Sequence, residues 1–289
     1  MKLRESPMKN VTVVGADGFI GNTMVKILRQ KGYNPIAVTR NRKIENYDTD
    51  IVLYLAGSTT PHNAKSDSEH VDFDLLSLIQ FLNKLKNIKT RPLFVFASSA
   101  GTVYDPADTQ PYKESSSLLP VNLYGCSKLA QEAVVRQSNW VEPLILRLSN
   151  IYGPHQKPKP GFGVIAHWAQ KICNHEPIEM MGNSGRDYLN IFDLAEIILK
   201  IINNYQSCYT GLTVNVGSGE TVTLSDLYGI FLKAAAQPIK VIKKSARTFD
   251  ASSVSIDISL AKELFNWQPK ISLNVGIKGV LDAAFASKK

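Results

Sequence analysis

The sequence predicts an α/β fold: a doubly wound parallel sheet followed by a smaller C-terminal α/β domain. Three observations predict it. Short apolar, often β-branched runs recur through the first half of the chain, and segments with helical spacing separate them. The texture then changes after residue 150, where Pro, Gly and Lys gather in HQKPKPGFG (155–163). Continuous apolar runs mark strands buried on both faces, and their alternation with helices marks a parallel sheet.

Taken in order, VTVVG (11–15) reads as a buried strand closed by glycine, and a helix over 21–31 ends near Gly32. IAVT (36–39), IVLYLAG (51–57) and LFVFASS (93–99) read as strands. The connection from Thr39 to Asp50 is short, so a helix often found there is expected to be missing. Val71, Leu75, Leu78, Ile79, Leu82 and Leu85 repeat at helical spacing and predict a helix over 69–87. A helix over 122–138 leads to the strand PLILRLSN (143–150). Beyond it, helices are expected over 164–174, 193–205, 225–236 and 273–287, with LTVNVG (212–217) strand-like. Residues 8–150 form the first domain and 151–289 mainly the second, with segments near 186–200 returning to the first. The second domain is expected to lean over the carboxyl ends of the strands, where such sheets bind ligands.

A chain of 289 residues with 44% hydrophobic content can build one large domain or two interlocked ones. Lys and Arg number 33 against 25 Asp and Glu, a net charge of +8. Scattered surface lysines account for this as readily as an anionic ligand such as a dinucleotide or sugar nucleotide. No dense basic run carries interleaved aromatics, which argues against nucleic acid. Cys126, Cys173 and Cys208 are odd in number and form no CxxC pair. That fits a reducing cytoplasm rather than a disulfide framework or a zinc site. The five histidines lack paired metal-ligand spacing, so no metal is expected. No apolar run approaches the roughly 20 residues of a membrane span, and MKLRESPMKN lacks a signal core. Met8 would make a natural start, with residues 1–7 an extension.

Two motifs carry chemistry. GADGFIG follows a strand and opens a helix. Gly15 allows the tight turn, Gly18 lets backbone approach a pyrophosphate, and Gly21 permits close helix–strand packing. Phe19 and Ile20 lie in the same motif and are assigned with the glycines to a dinucleotide cofactor, and the N-terminus of the helix that follows offers free N–H groups that suit phosphate. The second strand ends IAVTRNRK, with Arg40, Arg42 and Lys43 and no acid. An acid there serves the ribose hydroxyl of NAD and an arginine the 2′-phosphate of NADP, so NADP(H) is favoured over NAD(H). The second motif is Tyr124 and Lys128 in YGCSK. Residues at i and i+4 share a helix face, and an ammonium stabilises a phenolate whose unperturbed pKa is about 10. Ser98, Ser99 and Thr102 stand at the end of LFVFASSAGT, where a neutral hydroxyl could bind a substrate oxygen beside Tyr124.

Together GADGFIG, LAG (55–57), SSAGTVYD, YGCSK, LRLSNIYGP (146–154), GNSGRDYLNIFDLAE (182–196) and VNVGSGE (214–220) run in one order over nearly the whole chain. In this the chain resembles extended short-chain dehydrogenases/reductases of the NAD(P)-dependent sugar-nucleotide epimerase/dehydratase family, UDP-glucose 4-epimerase-like. The resemblance implies a Rossmann domain. It implies Tyr124 as acid/base and Lys128 as its activator and nicotinamide-ribose ligand. Ser99 is the implied third catalytic residue, with Thr102 left open because SSAGTVY carries one residue more than the commonest pattern. Leu55, Ala56 and Gly57 are implied at the cofactor, and Ser99, Thr102, Asn150, Arg186 and Arg247 at a nucleotide sugar. A homodimer is implied through the helices over 69–87 and 122–138, with Leu75, Leu78, Leu82, Leu129 and Val134 as apolar candidates. One position departs. Where the family often has an asparagine tied to a structural water or proton relay, this chain has Asp74, read here as a helix-surface acid.

The expected function is an NADPH-dependent reductase of a nucleotide-linked 4-keto sugar. The alternative is an NAD-dependent sugar-nucleotide 4-epimerase, and the third reading a non-catalytic NADP-binding regulator. A dehydratase is disfavoured because SSAGTVY lacks the acidic pair used for elimination.

Overall fold

The computed structural model describes residues 9–41, 47–65, 68–205, 209–245 and 253–288. Arg42, Lys43, Cys208, Arg247 and the 1–7 extension lie outside the described residues.

Strands and helices alternate from the first described residues. β1 (Val11–Val14) leads to α1 (Phe19–Gln30), β2 (Ile36–Val38), β3 (Ile51–Tyr54), α2 (Glu69–Lys84), β4 (Leu93–Ser99), α3 (Leu123–Gln137) and β5 (Glu142–Leu148). Then come β6 (Asn150–Tyr152), α4 (Val164–Cys173), β7 (Ile178–Met181), β8 (Gly185–Asn190), α5 (Ile191–Asn203) and β9 (Thr213–Val216). β10 (Thr221–Thr223), α6 (Leu224–Ala235), β11 (Val241–Lys244), α7 (Ser259–Phe265) and α8 (Leu273–Ala286) complete the chain. Among the described residues no helix lies between β2 and β3.

Six strands form one sheet in the order β2-β1-β3-β4-β5-β9, every neighbouring pair parallel. The chain moves outward from β1 to β2 and then crosses to β3 on the other side of β1. Ligands of open α/β sheets bind at such a reversal, and Gly15 closes β1 there. This is the Rossmann arrangement. The strands are short apolar runs because both faces are covered: β1, β3 and most of β4 and β5 are buried. Met24 and Leu28 of α1, Ile197, Ile198 and Ile201 of α5, and Phe265 and Trp267 cover one face. Leu78, Phe81 and Leu82 of α2 with Val135 of α3 cover the other. Leu78 and Leu82, candidates for a subunit interface, therefore face the sheet, because the apolar stripe of α2 meets Val52, Phe94 and Phe96 there.

β9 pairs with β5, Leu148 opposite Val216. The parts of the chain that return to the six-stranded sheet thus extend past residues 186–200, to β9 and to α7 with Trp267. The second domain holds a three-stranded sheet, β10-β8-β6, and a parallel pair, β11-β7. Its own core gathers Trp168, Ile172, Leu227, Phe231, Ile277 and Leu281 from α4, α6 and α8. Trp168 meets Phe231 edge to face at 5.6 Å and donates its ring N–H to the Glu179 carbonyl, so it is a core residue.

Candidate active site

The site lies along the carboxyl edge of the six-stranded sheet. At the end of β1, Gly15 N and Ala16 N donate to the Val38 carbonyl at 3.0 and 3.1 Å, and Gly18 N donates to the Gly15 carbonyl at 2.9 Å. Gly15 has φ +84, and a Cβ there would stand 2.8 Å from Ala56 backbone atoms. A Cβ on Gly21 would stand 2.1 Å from the Gly15 carbonyl oxygen. Neither position admits a side chain, so the turn, the start of α1 and the Leu55–Gly57 stretch pack backbone to backbone. Gly18 caps α1 with no side chain, and the first turn, opened by Phe19 and Ile20, holds no acid. Its amides and positive partial charge fit the pyrophosphate of a nicotinamide dinucleotide.

Arg40 follows β2 and lies over the Phe73 ring at 5.7 Å. With Ser58, Glu69, His70, Phe73 and Lys159 it lines an open cleft of about 550 Å³. This cleft joins the end of β2, the start of α2 and the loop after β6.

Ser99 ends β4, and Tyr124 and Lys128 stand one turn apart on α3. Asn122 fixes the start of that helix, its side-chain oxygen accepting from Gly125 N at 3.0 Å. Ser99 stands within hydrogen-bonding reach of Tyr124. Thr102 Oγ1 donates to Ser99 Oγ at 3.1 Å. The structure thus ranks the two hydroxyls left open by the sequence: Ser99 meets Tyr124, and Thr102 backs Ser99. Lys128 Nζ donates to the Ala97 carbonyl at 3.0 Å and lies 5.0 Å from the Phe96 ring and 5.9 Å from the Tyr124 ring.

The electrostatics differ from the expectation that Lys128 lowers the Tyr124 pKa. Burial pushes the Tyr124 phenol up to about 12, hydrogen bonding from Ser99 opposes it, and the Asp74 charge adds to the rise. Burial also pulls the Lys128 ammonium down to about 8, against the charges of Asp74 and Glu132. Burial shifts both groups in the direction of the neutral form, and at about 8 Lys128 still carries its proton at neutral pH. At this place the neutral phenol can donate a proton and the phenolate can accept one.

Asp74 is a second correction. It is not a helix-surface acid but is buried in α2, where it accepts from the backbone and hydroxyl groups of both Ser58 and Thr59. Behind Lys128 lies a network that sequence reading missed. Glu132 accepts from Arg147, Arg136 and Ser98, and Arg147 also donates to Tyr104, whose hydroxyl donates to Asn215. The available signal was an arginine inside the otherwise apolar PLILRLSN.

The implied sugar-nucleotide contacts fall on the second domain. Asn150 begins β6 and Arg186 lies on the neighbouring β8. Asn150 Nδ2 donates to the Asp187 carbonyl at 3.1 Å, and an Arg186 Nη donates to the Gly185 carbonyl at 2.7 Å. Asn150 stands two residues beyond Leu148, which pairs with Ser99, so β6 follows directly from the carboxyl edge of the sheet. Among the described residues no three His, Cys, Asp or Glu gather as a metal site, and no helix is long and apolar enough to cross a membrane.

Residues 11–217 match the NAD dependent epimerase/dehydratase family. A putative UDP-glucose 4-epimerase of Methanocaldococcus jannaschii is 28% identical, over 94% of this chain and 97% of its own. A dTDP-4-dehydro-6-deoxyglucose reductase of Escherichia coli is 32% identical, over 81% of this chain and 74% of its own. The crystal structure of UDP-glucose 4-epimerase with UDP-glucose from Thermotoga maritima has the same fold, with TM-score 0.86 at 23% identity, over 97% of this chain and 100% of that one.

Proposed function

This chain belongs to the NAD dependent epimerase/dehydratase family, and on that premise we propose that it is a 4-epimerase of a nucleotide-linked sugar. The observation that carries the reading is the grouping of Ser99, Tyr124 and Lys128 beside the glycine turn, at the carboxyl edge of the sheet. The relative from M. jannaschii, similar over nearly its full length, bears the 4-epimerase name and supports this choice.

A nicotinamide dinucleotide held at the glycine turn would supply reversible hydride transfer. The chain supplies the rest. Ser99 orients the sugar oxygen with a neutral donor, which holds developing negative charge better than water does. Entering as the phenolate, Tyr124 takes the proton of that hydroxyl as hydride leaves the sugar, and gives it back when hydride returns. Lys128 holds the cofactor ribose and offsets phenolate charge while the proton is away. The three-stranded sheet holds the nucleotide diphosphate through Asn150 and Arg186.

A specific observation favours a second reading. Arg40 stands where an acid would serve NAD, and the E. coli relative bears a 4-keto-sugar reductase name. On that reading the same residues reduce a nucleotide-linked 4-keto sugar with exchangeable NADPH. Extraction and mass analysis of the retained cofactor, with assays of UDP-glucose interconversion and of NADPH oxidation by a dTDP-4-keto-6-deoxy sugar, separates the two. Retained NAD with interconversion supports the epimerase. NADPH oxidation supports the reductase and overturns the epimerase. Turnover of neither substrate class overturns both.

A further inference from the structure

The proposed mechanism leaves one buried charge unused. Asp74 is 7% exposed. Its Oδ1 accepts from Ser58 N and Ser58 Oγ, both at 2.8 Å. Its Oδ2 accepts from Thr59 N at 2.8 Å and lies 2.6 Å from Thr59 Oγ1. Ser58 N also reaches Oδ2 at 2.9 Å. A carboxylate has about four lone-pair sites, and these contacts occupy them, which leaves none for a relaying water. All the partners are neutral donors, so the carboxyl is held as an anion. Burial would raise its pKa, but the hydrogen bonds from Thr59 and Ser58 outweigh burial and keep it below the usual value.

The anion has a cation opposite it. A Cβ built on Gly57 would stand 3.8 Å from Asp74 Oδ2 and 3.9 Å from Lys128 Nζ. The two charges face each other across this glycine. The other groups around Lys128 are the Ala97 carbonyl and Phe96 ring of β4, and Tyr124 and Glu132 of its own helix. Glu132 is already engaged by Arg147 and Arg136. Among the described residues Asp74 has no ion pair of its own within 4.0 Å.

We infer that Asp74 is a positioning residue with two roles: its carboxylate clamps the 57–59 turn beside the cofactor cleft, and its charge holds Lys128 in the protonated form across Gly57. This rests on the reading of Lys128 as the group between cofactor and Tyr124. Asp74 therefore does not pass protons. It sets the charge of the residue that helps Tyr124 do so.

Three variants separate the roles. In Asp74→Asn the amide oxygen can take the Oδ2 place and accept from Thr59 N. Its Nδ2 can donate to a reoriented Ser58 hydroxyl, so the turn survives without the charge. Asp74→Glu keeps the charge and disturbs the turn, and Asp74→Ala loses both. Lys128 is followed by NMR in selectively lysine-labelled protein, assigned with Lys128→Arg, which needs neither cofactor nor substrate. In Asp74→Asn its titration midpoint falls by about half a pH unit or more, with thermal stability close to wild type. In Asp74→Glu the midpoint stays high while NADH and NADPH bind more weakly. A midpoint unchanged in Asp74→Asn overturns the inference. NADH and NADPH affinities measured across the same pH range test the Lys128 reading separately. A midpoint that moves while cofactor affinity ignores it supports the charge pairing and overturns the proposed role of Lys128.

Discussion

Arg147 and Glu132 meet as a buried fork, with Nε to Oε1 at 3.0 Å and Nη2 to Oε2 at 2.9 Å. Both side chains are 3% exposed. Arg147 reaches from β5 to α3, and Glu132 lies one helical turn past Lys128. Glu132 also accepts from Ser98 at 2.5 Å, the residue before Ser99. The pair thus ties the helix that carries Tyr124 and Lys128 to the strand that carries Ser99. Removing one partner of a buried pair strands the other charge and typically costs about 3–5 kcal/mol. Glu132→Ala should unfold at much lower temperature or denaturant concentration than wild type. A thermal or urea melt that superimposes on wild type would show that the fork holds nothing together.

Tyr124→Phe should fold normally and bind cofactor, because the ring and its packing remain. Turnover should drop by at least ~10²-fold, the scale of general acid–base catalysis. The measurement is kcat on whichever nucleotide sugar proves active. Near wild-type turnover would remove Tyr124 from the mechanism.

Lys128→Met should lose activity and gain stability. Burial lowers the Lys128 pKa from 10.5 to about 8. Between those values the unfolded chain binds more protons than the folded one, so this group's cost is fully present below pH 8 and fades as pH rises toward 10.5. The variant should therefore unfold at higher temperature than wild type at neutral pH, by about 1–2 kcal/mol after the lost bond to the Ala97 carbonyl is counted. The gap should close toward pH 10. Melting curves at several pH values test this, and a variant less stable at neutral pH would contradict it.

On the reductase reading, Arg40→Ala should weaken NADP(H) more than NAD(H). A charge-assisted contact to a 2′-phosphate contributes on the order of 1.5–3 kcal/mol, roughly tenfold or more in affinity. Fluorescence titration of NADPH and NADH against both proteins gives the comparison. If wild type binds NADH as well as NADPH, Arg40 has no phosphate to hold and the epimerase reading gains.

A homodimer should form through α2 and α3. On α3, Leu123, Cys126, Ala130 and Ala133 are exposed at helical spacing. On α2, Phe73 and Leu76 are 50% and 55% exposed. These surfaces of small and large apolar residues can fit each other across a twofold axis. Light scattering at micromolar concentration should give twice the chain mass, and Leu76→Glu with Ala130→Glu should give the single chain. A wild-type monomer would refute the dimer.

Most of the sheet was legible because its strands are buried on both faces and read as plain apolar runs: VTVV, IVLY and LFVFASS needed no context. The strands of the second domain were less so. β8, GRDYLN, mixes charge with apolar residues and forms only against β6 and β10. The placement of Tyr124 and Lys128 one turn apart on α3, and the tight glycine turn, were legible because local spacing defines them. Asp74 was not, because its neighbours Asp72 and Phe73 are exposed and only Ser58 and Thr59, fifteen or so residues away, explain its burial. The rank of Ser99 over Thr102 likewise depends on how β4 meets α3, which spacing along one strand does not encode.

The pairing of β9 with β5 has a consequence for how the chain is made. Every residue assigned to the catalytic step has been synthesised by Lys128, yet the sheet beneath it lacks its outer strand until residue 216 has emerged. Until then β5 presents an open apolar edge, the kind of surface that pairs with the wrong neighbour. A nascent chain stalled between the two points would carry the complete chemical group on an unfinished support. The edge of β5 therefore stays without its partner from the synthesis of Leu148 to that of Val216.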